Sequence, residues 1–195
     1  MGTWTFEGGG FVVDGGHRRE RVSGPGTGAR GAGAAPLLGR FPVPPEWRCV
    51  IALPDVEAGL SGEEERAAFA RLTPPPAETV WRMAHLLLLG VLPALVERDI
   101  VTFGRRLSEL QRRVGECFRP IQGSMYAAPE VGDLVRRFED AGAAGAGQSS
   151  WGPAVFAVVG GEEAAAELAE RARGWIGASR PVFTTAFDNA GASLS

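Results

Sequence analysis

Apolar positions recur along this chain with two different periods, and the switch between them marks out its elements. Trp47-Arg48-Cys49-Val50-Ile51-Ala52-Leu53 is a short apolar run closed by Pro54, which predicts a buried strand. Ala154 to Val159, ended by Gly160-Gly161, predicts a second, and Pro181 to Phe187 a third. Helical spacing governs other stretches. Ala77 to Glu97 carries a long apolar face, with Pro93 as a kink or break. Ile100 to Phe118 repeats apolar residues at Val101, Phe103, Leu107, Leu110 and Val114, and Val131 to Ala141 turns Val131, Leu134, Val135 and Phe138 inward. Glu162 to Trp175 predicts a further helix. Ser61 caps a short helix whose first turn holds Glu63, Glu64 and Glu65, acids that suit the helix dipole. Met1 to Asp14 reads as two strand-like runs around a glycine turn, and Gly15 to Gly39 as a mobile loop with little periodicity. Pro74-Pro75-Pro76 separates a first block from a mainly helical second one. Helices on one face of a small sheet make an α+β fold. The run His85 to Leu92, stopped by Pro93, falls short of the roughly 20 residues of a membrane span and predicts a helix buried inside the protein.

Composition narrows the chemistry. The chain has 195 residues, enough for one large domain or two small ones, and a formal net charge of −3. That charge gives no general attraction to nucleic acid or to an anionic membrane. All 20 basic residues are Arg. Without lysine there is no Schiff-base chemistry and no P-loop lysine, so a phosphate must be held by Arg, backbone N–H groups, helix N-termini or a metal ion. Cys49 and Cys117 form no CxxC pair and no disulfide framework. Together with an N-terminus showing no basic start and apolar run, this points to a cytoplasmic setting.

The strongest local signal is Gly142 to Pro153, GAAGAGQSSWGP. Small residues let backbone approach a ligand, successive N–H groups can form an anion nest, and Gln148, Ser149 and Ser150 add donors. A tight helix-to-strand connection needing glycine for packing accounts for the same pattern equally well. Glu7, Asp14 and His17 lie around glycine turns, where carboxylates bind Mg²⁺ or act as bases; an ordinary hairpin with polar turns reads the same way. Arg119 to Tyr126 is a polar turn between helices, equally a plain connection. His85 fits a core histidine, and Glu63 to Glu65 a solvated helix start. HExxH, metal-spaced Cys/His sets and GxSxG are all missing from the sequence.

Four stretches together resemble the β-ribofuranosylaminobenzene 5′-phosphate synthases, a branch of the GHMP kinase superfamily. They are Gly2 to Glu7 running on to Gly16-His17, Gly59-Leu60-Ser61-Gly62-Glu63-Glu64, Gln122-Gly123-Ser124-Met125-Tyr126, and Gly145 to Pro153. Gln-Ser-Ser-Trp-Gly-Pro is the most specific of them. The resemblance implies a GHMP-like α+β fold, with residues 1–75 a remnant of an N-terminal domain and 76–195 a C-terminal domain of helices on a small antiparallel sheet. It implies condensation of phosphoribosyl pyrophosphate with 4-hydroxybenzoate or 4-aminobenzoate, with loss of CO₂ and pyrophosphate, on the way to methanopterin-type carriers. Mg²⁺ is the implied cofactor. Glu7 or Asp14 is the implied carboxylate beside the ribose cation, and Gln122, Gly145, Gly147, Gln148, Ser149, Ser150 and Trp151 the implied substrate-side residues.

The sequence departs from the family in two ways. The family's pyrophosphate-binding motif has no counterpart here, so the chain reads as lacking the N-terminal part and potentially inactive alone. Aligning Gly9-Gly10 with the kinases' later glycine pair puts Gly2 where those enzymes have a catalytic acid, and Ser124 alters the usual Gln-Gly-Gly-x-Tyr. A GHMP-type small-molecule kinase and a non-catalytic ligand-binding fragment are the alternatives. Surface normally facing the missing domain predicts a homo-oligomer.

Overall fold

The computed structural model describes residues 3–16, 34–57 and 59–193. His17, Gly2 and most of the predicted loop before Gly39 lie outside the described residues. The rest packs as two compact units, one from the stretches Met1–Val43 and Phe187–Ser195, the other spanning Pro44–Ala186.

The larger unit is a four-stranded antiparallel sheet in the order β4-β5-β3-β6. Its strands are β3 (Trp47–Ala52), β4 (Gly145–Gln148), β5 (Val155–Gly160) and β6 (Val182–Ala186). The helices are α2 (Gly62–Arg71), α3 (Ala77–Leu86), α4 (Leu92–Val96), α5 (Ile100–Gln122), α6 (Pro129–Asp140) and α7 (Glu162–Ile176). Val50 of β3 pairs with Ala157 of β5 on one side and Thr184 of β6 on the other, so β3 is central. The core sits between this sheet and α6 and α7, where Val50, Val155, Val131, Phe138 and Leu168 are buried together. Asp99 caps α5 by accepting a 3.0 Å bond from the Thr102 N–H, and left-handed Gly123 closes it. Because β3 belongs to the middle of this sheet, the division by packing falls after Val43.

The smaller unit holds α1 (Thr3–Gly8) and a hairpin of β1 (Phe11–Asp14) with β2 (Leu37–Phe41). Two expectations are corrected here. Thr3 to Phe6 is helical, not a strand: the Trp4 indole N–H donates to the Ala35 carbonyl and the Gly9 N–H closes on Thr5, tertiary and capping bonds that override a short β-prone run. Residues 37–39, read as loop, are strand because Gly39 and Leu37 pair with Val13 and Asp14.

A third correction concerns the apolar run at His85 to Leu92. It is not an enclosed core helix. A π turn over Leu87–Val91 joins α3 and α4 into one helix over Ala77–Val96, which by length and composition alone is long and apolar enough to cross a membrane. The wide turn precedes Pro93, which lacks the N–H that a regular helix would use there. Leu86, Gly90, Val91, Ala94 and Leu95 are buried, whereas Trp81, Leu88, Leu89 and Val96 are exposed.

Candidate functional site

The glycine-rich segment is half strand and half loop. Gly145 to Gln148, expected in the loop, form buried edge strand β4. A Cβ on Gly104 of α5 would overlap the Ala144 carbonyl, and one on Gly145 would overlap Gly104, so these glycines let helix and strand backbones touch. A Cβ on Gly147 would lie 2.7 Å from the Gln111 Cγ. Ser108 secures the outer edge of β4: its hydroxyl donates to the Ala146 carbonyl at 3.1 Å and accepts from the Ala146 N–H at 2.9 Å. One side chain thus replaces the missing neighbour strand.

Beyond β4 the chain makes a tight turn. The Ser149 N–H donates to the Ala154 carbonyl and the Gly152 N–H to the Ser149 carbonyl. Ser149 and Ser150 stand exposed at its tip, and Ser150 has a positive φ of 51°. Gln148 ties this turn to the loop after α5. Its Oε1 accepts from the Ala127 N–H at 2.7 Å and its Nε2 donates to the Ser150 carbonyl at 2.8 Å. Trp151 is buried, stacked on Phe118 with ring centroids 4.3 Å apart and met edge-on by Phe69 at 5.4 Å.

A cavity of about 510 Å³ opens beside this turn, lined by Gly59, Leu60, Arg71, Gln122, Ala127 and Trp151 among others. Three stretches singled out in the sequence therefore converge: 59–64, 122–126 and 145–153. Gly59 has to be glycine, because a Cβ there would overlap the Trp151 carbonyl oxygen. Two polar atoms here are buried without a hydrogen-bond partner among the described residues, the Trp151 Nε1 and the Gln122 Oε1; the Gln122 Nε2 is held by the Met125 carbonyl at 2.8 Å. Arg71 supplies a cation to the rim. Sequence reasoning missed Arg71 and Phe118, since their place on two different helices is set only by the fold.

Glu7 and Asp14 belong to the smaller unit. Glu7 is exposed on α1. The Asp14 Oδ1 accepts from the Gly16 N–H at 2.9 Å. The Gly9-Gly10 pair between them packs on the C-terminal tail: Gly10 N–H donates to the Asp188 carbonyl at 2.7 Å. Asn189 clamps Val43 through both its amide atoms, at 2.8 and 2.9 Å. Among the described residues no three His, Cys, Asp or Glu side chains converge to hold a metal ion. Burial pushes the Cys49 thiol up to about 11, and burial with Glu116 raises Cys117. Burial, then Glu139, raises the Tyr126 hydroxyl, partly offset by Arg112.

Residues 91–175 match the family model for the C-terminal domain of GHMP kinases. Over that stretch the chain is similar to the C-terminal domain of GHMP kinases. It is also 36% identical over 159 residues to the β-ribofuranosylphenol 5′-phosphate synthase of Methanothermobacter thermautotrophicus, a match covering 81% of this chain and 47% of that protein. The synthase of Archaeoglobus fulgidus is 37% identical over the same shares, and that of Methanocaldococcus jannaschii 30% over 80% of this chain. The chain thus spans about half the length of the curated relatives it matches. Among solved structures, the mevalonate pyrophosphate decarboxylase of Streptococcus pyogenes matches with a TM-score of 0.59 at 12% identity, covering 79% of this chain and 48% of that one. Homoserine kinase of Cytophaga hutchinsonii matches with a TM-score of 0.55 at 21% identity, covering 78% and 45%. These two share the fold, an α+β layout.

Proposed function

We propose that this chain forms part of a synthase that joins phosphoribosyl pyrophosphate to 4-hydroxybenzoate. The identity to three synthases named for a ribofuranosylphenol phosphate carries this reading, and that name favours the hydroxy over the amino acid. In the reaction pyrophosphate leaves the ribose C1. The ring carbon bearing the carboxyl attacks C1, and the bond to the carboxyl then breaks, releasing CO₂ and returning its electron pair to the ring. No oxidant or reductant is needed.

The cavity beside Trp151 is the proposed seat of the aromatic acid. Its volume of about 510 Å³ falls within the roughly 300–1,000 Å³ usual for small-molecule sites. A hydroxyl donating to the Gln122 Oε1 would raise electron density at the ring carbon para to it, the one that attacks. Arg71 would orient the carboxylate, and the Trp151 N–H would meet a substrate oxygen. Preorganised donors of this kind favour the charge of a transition state over that of the bound substrate. Glu7 or Asp14 is proposed to stabilise the ribose cation. The described residues build no metal cage, and Mg²⁺ is proposed to accompany the pyrophosphate, as this ion commonly does with substrate phosphates.

The test is CO₂ release from carboxyl-labelled 4-hydroxybenzoate, dependent on phosphoribosyl pyrophosphate, by a form that also carries the other half of the relatives' length. No release from that form overturns the reading. With release established, Gln122→Leu should raise KM for the aromatic acid, and either Glu7→Gln or Asp14→Asn should lower kcat.

A further inference from the structure

Helices α3 and α5 pack together and leave a groove of about 470 Å³ between them, a volume usual for small-molecule sites. Its walls carry Trp81, Arg82 and His85 from α3 and Arg106, Glu109 and Arg113 from α5. None of these residues lines the cavity beside Trp151. Ion pairs spaced three or four residues apart on a helix are ordinary and contribute little by themselves. Four features set this groove apart. Its arginines outnumber its acids: Arg82 pairs with Glu78, while Arg106 and Arg113 share Glu109 at 3.2 and 3.1 Å, so three guanidinium charges meet two carboxylates. The forks on α5 are only partly engaged. Arg106 and Arg113 each donate to Glu109 through a single nitrogen, and the Arg113 Nε is buried with no partner among the described residues. Arg106 is also held in place by packing: its stem crosses Gly90 of the π turn, where a Cβ would lie 3.1 Å from the Arg106 Cγ. At the rim stands Trp81, 70% exposed, offering a flat apolar face beside the cations.

A guanidinium fork recognises carboxylate and phosphate oxygens through paired N–H donors, and an indole face takes a flat ring. We propose that the groove between α3 and α5 is a second ligand site, for a small aromatic compound whose ring bears an oxyanion, carboxylate or phosphate. Arg106 and Arg113, splayed on either side of Glu109, bind the oxyanion together with Arg82 from α3, and the ring lies on Trp81. The unmatched positive charge sets the sign of the ligand. This inference is independent of the proposed reaction.

Phenyl phosphate and benzoate are the probes, titrated into the full chain and followed by NMR. The indole N–H signals of Trp81 and Trp151, assigned with Trp81→Phe and Trp151→Phe, report this groove and the other cavity separately. At least one probe should move the Trp81 signal saturably, and the one that does so at the lower concentration identifies the oxyanion. Its ring-less counterpart, inorganic phosphate or acetate, should bind at least about 3-fold more weakly. Arg113→Gln should weaken the probe by about 10–100-fold, the loss of one hydrogen bond to a charged group. Arg82→Gln, at a side chain 59% exposed, should weaken it by a similar factor with the circular dichroism melt unchanged. A Trp81 signal that neither probe saturates below about 10 mM overturns the proposal. So does equal binding of the ring-less counterpart, an affinity unchanged in both arginine variants, or a probe that moves the Trp151 signal alone.

Discussion

Replacing Gln148 separates the framework of the site from its surface. The side chain is 7% exposed and makes two hydrogen bonds, from the Ala127 N–H and to the Ser150 carbonyl. A neutral hydrogen bond contributes about 0.5–1.5 kcal/mol net. Both partners are part-buried, so water can replace them only in part, and Gln148→Ala should cost about 2 kcal/mol. For a unit of this size that is a fall of about 4–8 °C in Tm, read by calorimetry or circular dichroism. Gln148→Glu sharpens the test. One oxygen can still accept from Ala127, but the other then faces the Ser150 carbonyl, acceptor against acceptor. Burial and that carbonyl should raise the pKa of the introduced carboxyl above its unfolded value of about 4.3. The folded state then binds the proton more tightly than the unfolded one. The variant should approach wild-type stability below about pH 4 and lose stability as pH rises through the raised folded pKa. A Gln148→Ala loss under about 0.5 kcal/mol, or a Gln148→Glu stability profile parallel to wild type, would refute the clamp.

Two further outcomes follow from close packing and burial. Gly104→Ala places a Cβ into the Ala144 carbonyl, backbone against backbone, and should destabilise by about 1–3 kcal/mol, measured by denaturant midpoint. Cys117 should react with iodoacetamide well before Cys49 when followed by mass spectrometry at pH 8. Cys49 is buried and its thiol sits at about 11, so equal rates would contradict its placement in β3.

The long periodic elements were legible in the sequence because their signal is local. Helices α5, α6 and α7 and strands β3, β5 and β6 stand within a few residues of where apolar spacing put them. The departures share one physical cause: a partner distant in sequence decides the conformation. Gly-Ala-Gly-Gln has no β preference, yet Gly145–Gln148 is a strand because β5 pairs one edge and Ser108, on a helix 38 residues away, satisfies the other. Leu37–Phe41 is a strand because β1 finds it across a long connection. In Ala77–Val96 the apolar count was right and the inference of burial wrong. Periodicity identifies which residues share a face, but it does not say how many faces have something to pack against.

The same distinction changes how the glycine-rich segment is to be understood. Packing and ligand binding were rival explanations for its small residues, and the structure shows the packing part directly. Gly145 and Gly147 have close backbone or side-chain neighbours that exclude a Cβ, so their identity follows from the approach of α5. Both amide atoms of Gln148 are engaged by protein partners. What reaches the cavity is Trp151, whose ring is fixed by Phe118 and Phe69 while its N–H has no partner among the described residues. A buried donor without a partner costs about 1–3 kcal/mol, a strain that a ligand oxygen would relieve. The glycines therefore act through position: they set β4 close to α5, β4 sets Gln148, and Gln148 holds the turn that carries Trp151.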